Sequence, residues 1–248
     1  MISPNSFQIS KNWWIQFPYH LRLITKIRFY AAFGAGGVIY LTSLIFNNIG
    51  LSATDIGLGF TISAIIGTVT RLFTGNYLNK KGEIHFPIVT SSIISIAASF
   101  CLIFSKDTFF YIIGQSFVGA AAGIYWPAAE FGVPYFCHPI NTRKAYALVR
   151  SSEALGIFLG VFLGGFMTNF LYPKSIFIND ILCMLFITYL ISRNSSSINI
   201  NLENFQKKLV DPINNGQLKW NKNSTIIILS ILLITTSLAL IQSYLYQG

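Results

Sequence analysis

The chain has 248 residues, of which 53% are hydrophobic and only 10% charged, with a mean hydropathy of +0.57. A soluble domain carries about 25% charged residues, so this composition excludes one. The net charge of +9 would point to nucleic acid in a soluble protein, but here its placement decides its meaning.

The apolar residues fall in blocks of roughly 20, the length that crosses a bilayer as a helix. Alternating apolar and polar strands are absent, which argues against an outer-membrane barrel. The expected fold class is therefore all-α and integral to the membrane. Residues 1–27 come first, a basic and aromatic segment expected as a cytoplasmic tail. Its stretch "NWWIQFPYHLRLITKIRF" leaves two readings, an interfacial anchor through Trp13 and Trp14 or an unstructured tail. No cleavable signal is expected, since the first apolar span is long enough to remain a membrane helix. Spans are predicted at 28–47, 56–74, 86–104, 108–134, 145–171 and 175–192, forming a six-helix bundle over 28–192. A polar linker rich in Asn and Ser follows at 193–223, expected in the cytoplasm, and then a seventh transmembrane helix within 224–248.

Fifteen of the 17 Lys and Arg residues lie in the tail, at the breaks after spans 2 and 4, or in the linker. Only Lys106 and Lys174 fall on the other side. That asymmetry predicts a cytoplasmic N-terminus and suits a bacterial inner membrane. It also accounts for the basic charge without any nucleic acid. Cys101, Cys137 and Cys183 are scattered and read as small apolar fillers. His20, His85 and His138 lie far apart, which gives no support to a metal site. The glycines Gly34 to Gly37 in "FGAGG" lack the spacing of a dinucleotide fingerprint and read as helix-packing residues. No Walker loop or nucleophile elbow appears, so neither an enzyme nor a cofactor is expected.

Between spans 2 and 3 lies "TGNYLNKKGE". In it Gly75 permits close approach of a neighbouring helix, and Asn79 is suited to bond free backbone groups at a helix end. Lys80 offers charge to an acidic partner, and Gly82 allows the positive-φ turn into span 3. Span 5 reads "GIFLGVFLGG", where Gly156, Gly160, Gly164 and Gly165 are spaced for close backbone packing. Span 4 reads "GQSFVGAAAGIYWPAA".

Together these stretches resemble the major facilitator superfamily of secondary transporters. "GNYLNKKG" resembles that family's loop motif G-x-x-x-[D/N]-[K/R]-x-G, with Asn79 where an acid is usual. "GIFLGVFLGG" resembles its exporter-associated G-x-x-x-G-P-x-x-G-G, with Val161 in place of Pro, and Gln115 stands where span 4 usually has Arg. The resemblance implies a first repeat of six helices, a loop latch between two halves, and transport of a small solute by alternating access. Six helices, a basic loop and a helix resembling the first suggest one repeat and the start of a second, as in a truncated or split form. A second half-transporter chain or a homodimer is then the expected partner, besides the lipid bilayer. A non-transporting remnant that keeps the fold is the alternative.

Charges inside a bilayer are costly and need a partner or a cavity. Arg150 and Glu153 are three apart and can pair along span 5. Glu153 is the first candidate for a proton-coupling carboxylate, against a purely structural ion pair. Glu130 is expected to pair with Lys80, Arg143 or Lys144. Asp180 either lines the cavity or reaches the interface. Tyr40, Gln115, Tyr125, Trp126 and Asn169 are the candidate substrate contacts, being polar or aromatic groups within spans.

Overall fold

The computed structural model describes residues 13–194, and six helices there are long and apolar enough to cross a membrane. They are α1 (Tyr19–Asn48), α2 (Ala53–Lys81), α3 (His85–Phe104), α4 (Thr108–Phe136), α5 (Thr142–Phe170) and α6 (Ser175–Arg193). The linker beyond residue 194 and the expected seventh helix lie outside the described residues.

Helix α1 starts at Tyr19, nine residues before the expected span, because Pro18 sets its entry. Leu21, Leu23, Ile24 and Ile27 then bury one face while Arg22 and Lys26 depress the average hydropathy. The short connections are built from caps. Ser52 accepts from the Asp55 amide, Asp107 from the Phe110 amide, and Asn141 from the Arg143 amide, each meeting an otherwise orphaned N–H. Helix α2 ends at Gly82 with φ of 65°, a left-handed cap whose N–H donates to the Leu78 carbonyl at 2.9 Å.

Packing partners reveal an internal repeat. Helix α1 packs on α5 and α6, while α4 packs on α2 and α3, and α3 meets α6. Exchanging α1–α3 for α4–α6 maps this pattern onto itself. Because each repeat has three helices, the two run in opposite senses, the inverted arrangement of secondary transporters.

The two strongest pairings use the same device. On α5, a β-carbon at Gly156 would lie 2.5 Å from the Phe29 carbonyl, and one at Gly160 would collide with the Phe33 carbonyl. On α4, β-carbons at Gly119 and Gly123 would collide with the Ser63 and Gly67 carbonyls of α2. Glycines four apart let backbones touch where no hydrophobic force from water drives helices together. Gly164 continues the stripe towards Gly37 and Ile176, but nothing lies within 4 Å of a β-carbon at Gly165. Bulky residues such as Phe100, Phe158, Phe162 and Leu182 point outward, as a hydrocarbon solvent permits.

Lys174, at the entry to α6, is buried against the end of α3. Its Nζ donates to the Ile103 carbonyl at 3.0 Å and to the Ser105 carbonyl, and lies 5.3 Å from the Phe46 ring. It thereby caps the carbonyl end of α3 with a positive charge. Burial first, and then the charge of Lys106, pulls its pKa below the ordinary lysine value.

Candidate functional site

A closed ring of four charges joins α1, α4 and α5. Arg28 Nη2 donates to Glu130 Oε1 at 2.6 Å and to Glu153 Oε2 at 2.9 Å. Arg150 completes the ring from the other side, at 2.7 Å to Glu130 and 3.0 Å to Glu153. Arg28 is fully buried, its guanidinium 4.5 Å from the centre of the Trp126 ring, and its Nη1 has no hydrogen-bond partner. Arg28 is missing from the sequence candidates, because it counts there among the basic charges of the tail. The signal was present: an arginine flanked by "LITKI" and "FYAAFG" stands within an apolar helical run. Glu130 does not pair with Lys80, Arg143 or Lys144. Arg143 and Lys144 lie in the first turn of α5, beyond the end of α4, whereas Glu130 lies well inside α4 and meets Arg28 of α1 and Arg150 of α5.

The loop between α2 and α3 has fewer contacts than expected. Asn79 and Lys80 are exposed on the last turn of α2, and Lys80 pairs with no acid among the described residues. Nothing lies within 4 Å of a β-carbon at Gly75, so no described helix makes the close approach expected there. Gly75 instead borders a wide pocket of about 580 Å³ with Arg71, Trp126, Glu130, Arg150 and Glu153.

Deeper in the bundle is a second, smaller cavity of about 90 Å³, walled by α1, α3, α4 and α6. Ala31, Ala35, Val38, Val118 and Met184 make most of its wall apolar, while Tyr125, Trp126, Ser91, Ser95 and Asp180 add polar and aromatic groups. Of the two readings left open for Asp180, the structure has it bordering this cavity. Asp180 is only 3% exposed. Its Oδ2 accepts from Ser99 Oγ at 2.7 Å and from Ser95 Oγ at 3.0 Å. Ser91, Ser95 and Ser99 are spaced four apart, so α3 turns a ladder of hydroxyls inward. Gly34 makes room on the facing helix: a β-carbon there would lie 2.9 Å from Asp180 Oδ1. Among the expected substrate contacts, Tyr125 and Trp126 line the cavity. Gln115 is buried but not part of its lining, and Tyr40 and Asn169 are exposed.

Six spanning helices in two opposed three-helix repeats, with a cavity between the repeats, define a multi-pass transport protein of the membrane. Residues 27–247 match the family model of the Major Facilitator Superfamily, and the chain belongs to that family. It is a major facilitator transporter, in contact with the lipid bilayer and a solute. No curated protein matches the chain.

Proposed function

We propose that the six-helix bundle is one half of a proton-coupled secondary transporter that moves a small solute by alternating access. The observation that carries this reading is the cavity between the two inverted repeats, whose wall holds a buried carboxylate with no ion-pair partner among the described residues. Asp180 is the proton-binding residue of this scheme. Glu153, the other candidate, already sits between two arginines, which supports the reading of a structural ion pair. Tyr125 and Trp126 contact the solute.

Alternating access needs a second bundle rocking against the first. A second copy of the chain, a separate half-transporter chain, or sequence continuing the same repeat supplies it. The α2–α3 loop, with Gly75, Asn79, Lys80 and Gly82, latches against that second bundle. Gly75 is open for such an approach. The glycine stripe of α5 supports an export direction, with Val161 softening the helix distortion that proline would give. The distribution of Lys and Arg supports a bacterial inner membrane and a cytoplasmic N-terminus.

The test uses proteoliposomes holding the full chain, a trapped pH dye and an imposed pH gradient, challenged with a panel of small solutes. At least one solute should accelerate proton flux, and Asp180→Asn should return it to the rate of empty liposomes. Flux that survives Asp180→Asn would remove Asp180 from the coupling role. A chain inert to every solute would favour a non-transporting protein that retains the fold.

A further inference from the structure

Trp126 is shared by two compartments. Among the described residues it alone lines both the inner cavity of about 90 Å³ and the wide pocket of about 580 Å³. Its neighbours divide between the two. Ala122 and Tyr125 border the inner cavity, while Pro127 and Glu130 border the wide pocket. The indole therefore stands at the wall between them, and a solute passing directly from one to the other meets it.

The ring is held in place from α1. The buried guanidinium of Arg28 lies 4.5 Å from its centre, a cation–π contact that favours Trp over Phe and gains from the exclusion of water. Arg28 cannot shift freely, since it bonds Glu130 at 2.6 Å and Glu153 at 2.9 Å. The orientation of the indole is thus tied to the charge ring one turn further along α4.

The backbone beside it is suited to bending. Pro127 has no N–H for the Gly123 carbonyl, and a proline inside a helix is where kinks form. On one side of that point, Gly119 and Gly123 press α4 against the α2 backbone. On the other, Glu130 ties it to α1 and α5. Bending at Pro127 moves Glu130 relative to the α2 contact, shifts Arg28 and frees the indole.

The closed arrangement also leaves polar groups unmet. Arg28 Nη1 and Tyr125 Oη are both buried without a hydrogen-bond partner. Both side chains neighbour Trp126, the Tyr125 ring centre lying 5.3 Å from it. Unpaired buried polar groups are unfavourable, and water admitted as the indole swings aside would satisfy them.

We propose that Trp126 is a gate between the inner cavity and the wide pocket, held closed by Arg28 and hinged at Pro127. It is a positioning residue, and its place in a transport cycle rests on the transport reading above. The gate itself is a property of the passage and is measured without any solute.

The experiment follows the rate at which a small, charged, membrane-impermeant thiol reagent modifies Ser91→Cys in the full chain, with Cys101, Cys137 and Cys183 replaced by Ala. Ser91 lines the inner cavity and is 2% exposed. Ser92→Cys is the matched control: Ser92 is as deeply buried, bonds the same Ile88 carbonyl, and lines neither compartment. The reagent is applied from the side carrying the α2–α3 connection. Trp126→Ala should speed labelling of Ser91→Cys about tenfold, the scale of a lost cation–π contact, and leave Ser92→Cys unchanged. Trp126→Phe keeps an aromatic ring for packing, so it tests the gate even where Trp126→Ala does not fold. Its weaker face and shorter reach should give about threefold. Equal acceleration at both cysteines would mean that Trp126 only holds the bundle together, and unchanged labelling of Ser91→Cys would leave no gate. Either result overturns the proposal. Solute-driven proton flux in a chain whose labelling ignores Trp126 removes the gate and keeps the transporter. Gated labelling in a chain inert to every solute does the reverse.

Discussion

Arg28→Ala should be among the most damaging single substitutions in the chain. The guanidinium is fully buried and bonds both Glu130 and Glu153. Removing it leaves two carboxylates facing each other with only Arg150, which is 57% exposed. Breaking a buried ion pair from one side costs about 3–5 kcal/mol, because the partner charges stay behind uncompensated. The expected result is a loss of that size in unfolding free energy, read as the denaturation midpoint of the chain in bicelles. Arg28→Lys should rescue little, since a single ammonium cannot reproduce the planar fork that holds both acids. In the double variant with Glu153→Ala the loss should fall short of the sum, with a coupling of about 0.5–3 kcal/mol. An Arg28→Ala chain as stable as the wild type would mean that the ring is ornamental.

Gly160→Leu should match or exceed that effect by a different route. The α1–α5 contact is backbone against backbone at Gly160, where even a methyl group would collide with the Phe33 carbonyl. Overpacking a tight core site costs about 1–3 kcal/mol when side chains can shift. Here the obstacle is main chain, so the upper end of that range or more is expected. Gly165→Leu is the matched control, five residues further along the same helix with nothing within 4 Å, and it should be close to neutral. The comparison is read as the yield of monodisperse protein and its unfolding midpoint. Equal damage at both positions would show that the α5 stripe matters through helix propensity and not through contact with α1.

The six spans were legible because hydrocarbon-length apolar runs separated by polar breaks are a strong signal, and a short loop forces antiparallel neighbours. Arg28 was not legible in its true role: counting charges outside the span moved the helix start from Tyr19 to Arg28, and a buried cation became a tail residue. The facing of residues was the other gap. In a soluble helix the apolar stripe marks the core, but in lipid both sides of a helix are apolar and that contrast vanishes. What marks the inner face here is small size and hydroxyls: Gly34, Gly160, and the Ser91, Ser95, Ser99 ladder. Tyr40 and Asn169 were nominated by polarity alone, and both lie on exposed faces. Tyr125 and Trp126 were nominated the same way and line the cavity. The inverted three-helix repeat left no visible sequence match, because its two copies share packing geometry more than residues.

The central claim is that the cavity beside Asp180 opens alternately to the two sides of the membrane. Its most direct test is thiol labelling at Ala122→Cys, a half-buried cavity position, in a chain whose Cys101, Cys137 and Cys183 are replaced by Ala. A membrane-impermeant reagent is applied to intact cells and, separately, to inside-out vesicles. Labelling from both sides, slowed by a transported solute, is the result this account predicts. Labelling from one side only, unchanged by any solute, would contradict it.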